Sequence, residues 1–329
     1  MTRTLSLDQV ELSFDPSTAN IELTSADPRL AGNRLKLTVS TQTSSYQSLL
    51  KLLVDEGYAD PYTVELPRET LRIESARELK IPGKDPRSNL AIGIGMGNRR
   101  IHLDLSHNVL IAGGTGSGKS IAIRNVLCHG LEQDDVELWA IDLKRVELGG
   151  YAYREQDIVV HRQDEALQML QTLHRKLLAR YEHLDSIGAK SYLDGDFRTV
   201  YLIIDELGDL IRPIDGEDLE SKLWNAKSLL ITQLLTQIAR IGRGGGLHLI
   251  CGIHGVGFLP PELRIQFFDR ILMGRSDSVE AKLLFGRPNA YGGAYLEPRG
   301  RGVLAYGAEQ ELFQAYFIPY EAYRAPRDA

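Results

Sequence analysis

The sequence predicts an α/β protein: a mostly parallel sheet covered by helices on both faces, preceded by a smaller N-terminal module. Three observations predict it. Short unbroken apolar runs recur after residue 89, amphipathic stretches of helix length separate them, and one run ends in a glycine-rich turn that opens a helix. A strand buried on both faces reads as a continuous apolar run because neither side meets water. The 329 residues, 43% hydrophobic and 25% charged, suffice for two domains with a sizeable core and exclude wholesale disorder.

Taken in order, residues 1 to about 45 are rich in Thr, Ser, Asp and Asn, and Arg34–Val39 alternates as a half-buried strand does. Tyr46, Leu49, Leu50, Leu53 and Val54 follow at helical spacing, with Gly57 as a stop. Pro61, Pro67, Pro82, Gly83 and Pro86 then give a linker-like density of breakers, which places a domain boundary near residue 85. The expected division is a module over 1–85 and a larger domain over 86–329. In the larger domain, strands are expected at 108–112, 136–142, 200–205, 248–253 and 270–273. Helices are expected after the glycine-rich turn to about Leu131, from Asp164 to Ser186, and from Leu223 to Ile241. A last strand is expected at 313–318.

The charge balance is −6, with 38 basic and 44 acidic residues. A chain that coats nucleic acid over its whole surface would be basic, so that class is excluded, while a local basic stripe is compatible. Cys128 and Cys251 lie in apolar runs and read as buried thiols of a reducing compartment, which excludes a disulfide scaffold or a cysteine zinc site. No apolar run approaches the ~20 residues that cross a bilayer, and the N-terminus has no apolar signal core. A cytoplasmic location is expected.

Gly113-Gly114-Thr115-Gly116-Ser117-Gly118-Lys119-Ser120 is a complete G-x-x-x-x-G-K-S, set between a buried strand and a helix that begins with Ile121. In that context the backbone N–H groups from Gly113 to Ile121 can curl around a polyphosphate. Lys119 then reaches the outer phosphates, and the Ser120 hydroxyl ligates Mg²⁺. Tyr201-Leu-Ile-Ile-Asp205-Glu206 ends a second buried strand with two acids. Asp205 would stand beside the magnesium shell, and Glu206 would be the general base for an attacking water. An acidic N-cap on the next helix would explain the same pair without chemistry. With the phosphate loop upstream, an ATP or GTP hydrolase is expected, and no guanine-reading Asn-Lys-x-Asp appears.

These motifs, with three more, resemble the motor domain of the FtsK/SpoIIIE DNA translocases over roughly residues 89–329. Ile141-Asp-Leu-Lys-Arg-Val-Glu-Leu148 is similar to the family's Asp-Pro-Lys-x-x-Glu-Leu segment. Leu202–Leu210 looks like its acidic strand end, Ile238–Leu249 resembles its Arg-Ala-x-Gly-Ile-His-Leu run, and Arg275–Val279 resembles its short Asp-Ser segment. The resemblance implies a RecA-like P-loop NTPase fold and ATP hydrolysis with Mg²⁺. It also implies a homo-oligomeric ring, expected to be hexameric, on double-stranded DNA. Where the family reads Ala-Thr-Gln-Arg-Pro, this chain reads Gly252-Ile-His254-Gly-Val256, so His254 is the candidate γ-phosphate sensor. Arg243, Arg270 and Arg275 are candidates for an arginine finger acting on a neighbouring subunit.

The compact form resembles translocases of actinobacterial conjugative plasmids and integrated elements, with DNA transfer or segregation as the expected role. A type VII secretion-like protein-export ATPase shares the motifs and is the alternative, as is a nucleotide-gated DNA-binding accessory protein. Residues 1–85 carry no readable motif and are the expected docking module for a membrane-bound or DNA-processing partner.

Overall fold

A computed structural model of the chain describes residues 3–7, 10–15, 20–25, 34–38, 71–80, 87–95, 98–274, 278–287, 299–307 and 309–323. The first four strands, β1 (Arg3–Leu7), β2 (Val10–Asp15), β3 (Asn20–Ser25) and β4 (Arg34–Thr38), pair antiparallel in sequence order. The alternation at Arg34 is therefore a strand. The helix expected over Tyr46–Val54 lies outside the described residues.

The larger sheet contains β5 (Leu71–Arg72), β6 (Asn89–Gly95), β7 (Arg100–Asp104), β8 (Val109–Ala112), β9 (Val136–Ile141), β10 (Ile158–Val160), β11 (Thr199–Ile204), β12 (Leu247–Ile253), β13 (Asp269–Met273), β14 (Arg301–Tyr306) and β15 (Glu309–Phe317). The helices are α1 (Lys119–Leu131), α2 (Gln163–Ser186), α3 (Leu207–Ile211), α4 (Leu219–Ile241) and α5 (Ser278–Phe285). Strand order is β10-β9-β11-β12-β8-β13-β14-β15-β6-β7, with β5 beside β15. The pairings from β10 to β13 are all parallel, and those from β13 through β14, β15 and β6 to β7 are antiparallel.

Both faces are covered, as the unbroken apolar runs require. On β11, Val200, Leu202 and Ile204 enter the core shared with α2 and α4, while Tyr201 and Ile203 enter the one shared with α1. β8 divides the same way, Leu110 and Ala112 against Val109 and Ile111.

Of the antiparallel half only β15 was legible, from the run at 313–318; β6, β7 and β14 were not. β6 contains glycines that read as breakers, and Gly93 sits where its register against β7 shifts. A Cβ on Gly93 would collide with the Gln314 carbonyl, so this close approach needs a residue without one. β5 also departs from expectation. Leu71 and Arg72 pair with Tyr316 and Phe317, and Ala76 and Leu79 are fully buried in the α1-side core. These residues pack with the larger domain, although the prolines around them assign them to the linker.

The turn Ala76–Leu79 is fixed by a Ser75–Glu78 capping box and lies at the far end of α1. There Glu132, the residue that closes α1, accepts from Arg77 Nε at 2.8 Å and from the Tyr323 hydroxyl at 2.8 Å. The same hydroxyl accepts from the Ala76 N–H at 2.7 Å. One helix end thus holds the segment before β6 and the segment after β15.

At the same edge of the sheet, immediately before β8, Asn108 ties three elements together. Its Nδ2 donates to the carbonyls of Ala239 on α4 and Gln266, and its Oδ1 accepts from Leu249 N–H on β12 at 2.9 Å. Removing the amide leaves a buried strand N–H and two carbonyls unpaired. Asn108→Ala is expected to lower stability by about 2–4 kcal/mol, read as a lower urea midpoint with an unchanged slope.

Candidate functional site

Parallel strands place their C-terminal ends on one edge, and the ends of β8, β12 and β11 are adjacent there. The phosphate loop leaves β8, with Gly113 N–H bonded to Ile253 O of β12 at 3.1 Å. Gly114, Thr115 and Gly116 are exposed, whereas Gly118 and Lys119 are buried. Gly118 has φ 102° and no room for a side chain against Gly300, so the turn into α1 requires glycine. Lys119, Ser120 and Ile121 form the first turn of α1, where free N–H groups favour an anion.

Lys119 is only 3% exposed. Its Nζ lies 2.7 Å from Glu206 Oε2 and donates to the Asp205 carbonyl at 3.1 Å. Glu206, 8% exposed, accepts on Oε1 from the N–H of Gly208 at 3.3 Å and of His254 at 3.0 Å. His254 Nε2 stands 3.3 Å from Glu206 Oε2. The phosphate-loop lysine, the acidic strand end and the histidine after β12 therefore form one cluster. Glu206 is also the N-cap of α3, as the capping reading of this residue expects.

Two sequence features bring these groups within reach. Gly252, next to the end of β12, has no room for a Cβ because the Asp205 carbonyl occupies that space. The glycine lets β12 approach β11, so His254 emerges beside Glu206. The second feature is Asp142, buried at the end of β9. Its carboxylate accepts from the N–H groups of Arg145, Glu147 and Leu148, folding the Asp-Leu-Lys-Arg-Val-Glu-Leu segment around itself. Lys144, projected from that turn, pairs with Asp209 of α3 at 2.8 Å. This pair, which raises the lysine's pKa, was not legible from the sequence: each residue lies in one of the family-like segments, but nothing in their spacing says that the two segments meet.

Asp205 is buried, and burial pushes its pKa up to about 6 against the opposing pull of Lys119. Its Oδ1 has no hydrogen-bond partner. A buried carboxylate oxygen in this condition suits a cation. With Ser120 at the loop's end the donors fit Mg²⁺, which favours oxygen ligands and keeps phosphate and water oxygens in its shell. Among the described residues no cluster of three or more acidic, His or Cys side chains could hold a metal by itself, so phosphate and water would complete the coordination. His254 has its pKa lowered, first by burial and then by Lys119, which favours the neutral ring.

The arginines fall elsewhere. Arg270, near the start of β13 and paired with Leu110, donates to the carbonyls of Phe267 and Leu284 at 2.9 and 2.8 Å. That engagement with its own chain argues against the expected finger role. Arg243 is exposed in the turn before β12, at the edge of the sheet opposite the phosphate loop. Arg275 lies outside the described residues.

A phosphate loop with a buried acidic strand end, on a sheet ordered in this way, defines a P-loop ATPase. The family model for FtsK/SpoIIIE proteins matches residues 83–288, and the chain belongs to that family. It is 26% identical over 305 residues to the DNA translocase FtsK of Chlorobaculum tepidum, covering 79% of this chain and 36% of that protein. It is 27% identical over 255 residues to the FtsK of Staphylococcus aureus strain COL, covering 69% and 30%. The chain thus spans about a third of the length of these curated relatives.

Among solved structures, the pCW3 conjugation coupling protein TcpA with ATPγS is similar in fold, with a TM-score of 0.68 and 19% identity. That likeness covers 98% of this chain and 90% of TcpA. The cytoplasmic domain of the Thermomonospora curvata type VII secretion ATPase EccC gives a TM-score of 0.57 at 22% identity, covering 75% and 32%.

The raised pKa of Asp205 sets a pH signature for the nucleotide-free protein. Above pH 6 the folded chain carries an ionised buried carboxylate and loses stability; below the unfolded value near 3.8 that penalty vanishes. Asp205→Asn is therefore expected to raise the melting temperature at pH 7.5 and to show a shrinking gain as pH falls toward 4. With Mg²⁺ and ATP the order should reverse, since the amide cannot supply the anion; scanning fluorimetry reads both.

Proposed function

We propose that this chain hydrolyses ATP with Mg²⁺ and uses the energy to move double-stranded DNA through a ring of identical subunits, in DNA transfer or segregation. The observation that carries the proposal is the buried Lys119–Glu206 pair at 2.7 Å, set where a phosphate loop meets an acidic strand end. Family membership and the DNA translocase names of the relatives support the choice of polymer. The likeness in fold to a conjugation coupling protein is compatible with a role in transfer.

Without nucleotide, Glu206 Oε2 is occupied by Lys119 and is not available to a water. Incoming phosphates offer Lys119 a stronger set of anionic oxygens, and its departure frees Oε2. Oε1 remains held by the N–H groups of Gly208 and His254, so the freed oxygen keeps its direction. Glu206 then accepts the proton of the attacking water while Lys119 offsets charge on the phosphoryl group. Bound Mg²⁺ would add Lewis-acid stabilisation of that charge, held by Ser120 and Asp205. His254, already beside Glu206, is placed to report the γ-phosphate to the loop after β12.

The net charge of −6 limits the basic surface available to DNA, so few phosphate contacts per subunit are expected and enclosure by a ring supplies the processivity. Residues 1–85 are the proposed docking module for a membrane-bound or DNA-processing partner. Among the described residues no helix is long and apolar enough to cross a membrane.

Lys119→Ala should abolish ATP binding, whereas Glu206→Gln should bind ATP and turn over roughly 10²-fold more slowly, checked by nucleotide titration and phosphate release. Normal turnover by Glu206→Gln would remove the base from this scheme. Triplex displacement on linear duplex tests the polymer, with Glu206→Gln as control. Displacement that requires ATP and Glu206 supports the DNA motor. An ATPase rate indifferent to DNA but raised by a folded protein substrate would transfer the chain to the export class of EccC.

A further inference from the structure

The phosphate loop has two flanks. The strand order puts β12 and β11, with Glu206, on one side of β8, and β13 and β14 on the other. On that second flank the turn leading into β14 is docked directly on the loop. Gly300 N–H donates to Ser117 O at 3.2 Å, and a Cβ on Gly118 would lie 3.0 Å from the Gly300 Cα. The turn is also anchored from behind. Buried Gln314 donates to the Arg299 carbonyl at 3.0 Å, Ala315 N–H donates to Gly300 O at 2.8 Å, and Gly274 N–H to Arg301 O at 2.9 Å. Residue 299 is thus fixed in place by β13, β15 and the loop itself.

Its side chain points back over the loop. A guanidinium nitrogen of Arg299 lies 3.5 Å from where a Cβ on Gly116 would stand, in van der Waals range of the exposed crest of the turn. Among the described residues the guanidinium makes no hydrogen bond or ion pair. Resting on the proposed ATPase reading, we propose that Arg299 is a nucleotide-binding residue acting within its own subunit. Its guanidinium pairs with the polyphosphate from the flank opposite Glu206.

The chemistry follows from the two flanks. Lys119 is shared between the phosphates and Glu206, so its charge is not fully committed to the ligand until the base is released. An arginine has no such competing duty, and its planar fork suits phosphate oxygens. Standing away from Glu206, it should hold ADP as well as ATP and leave the chemical step alone. Gly116 itself is required by its φ of 78°, and a Cβ there would stand in ordinary contact with the guanidinium.

The test is titration of fluorescent mant-ADP and mant-ATP, with Mg²⁺, into the full chain and into Arg299→Ala, Arg299→Lys and Lys119→Ala. Arg299→Ala is expected to weaken both nucleotides by about tenfold, with a shallower salt dependence. Arg299→Lys should recover part of the loss, and kcat at saturating ATP should stay within about twofold. Because Arg299 is exposed, the melting temperature without nucleotide should not move, which separates lost contact from lost fold. Unchanged affinity in Arg299→Ala, or a collapse of kcat with affinity intact, overturns the assignment. If the unaltered chain binds neither nucleotide, the ATPase reading itself fails. If it binds, Lys119→Ala does not, and Arg299→Ala matches the unaltered chain, only the role of Arg299 is lost.

Discussion

The ion pair between Lys119 and Glu206 is the interaction on which the site's geometry depends. Two charges this deeply buried survive only if each is satisfied on every side. Lys119 meets that demand with the Asp205 carbonyl, and Glu206 with two backbone N–H groups and the imidazole of His254. The surrounding sequence serves this requirement. Gly252 admits the Asp205 carbonyl, α3 starts at Glu206 so that Gly208 can donate, and Gly118 turns the chain so that Lys119 points inward. Loss of either charge would leave the other stranded in the cleft, so the pair also stores the conflict that arriving phosphates resolve.

Asp205 sits in the same cleft under the opposite condition, with one oxygen unsatisfied. The contrast divides labour between adjacent acids. Glu206 is held and oriented by protein donors, and Asp205 is kept dry and short of partners. A proton at low pH or a bound cation relieves it. Two adjacent carboxylates thus stand in different environments, because one accepts from N–H groups and the other keeps a buried oxygen without a donor.

Much of this was legible in the residues, for a physical reason. Strands covered on both faces must be apolar throughout, and a polyphosphate cradle needs glycines, a lysine and a hydroxyl at fixed spacing. So β8, β9, β11 and β12 and the loop from Gly113 to Ser120 could be read directly. The rest of the antiparallel half beside β15 was obscured because its contacts are made by glycines and single long-range pairs. Gly93 reads as a breaker until the Gln314 carbonyl is seen against it, and Leu71 reads as linker until β15 supplies its partner. Arg270 shows the converse, a partner that the sequence does not announce. A cation in the right interval of the sequence looked available, yet its Nε and Nη1 are engaged by carbonyls of its own chain. The proximity of Arg299 to Gly116, across some 180 residues, leaves no periodic trace at all.

The clasp at the end of α1 has a mechanical consequence. Glu132 closes the helix that begins at Lys119, and it is gripped by Arg77 on one side and Tyr323 on the other. A helix of 13 residues is about 20 Å long and close to rigid along its axis. A displacement of its first turn, when phosphates are gripped or released, is delivered at the other end as a pull on both segments together. Load applied along either segment travels back by the same rod to the loop that holds the nucleotide. In engineering terms, α1 is a connecting rod whose bearing is a carboxylate shared between an arginine and a tyrosine.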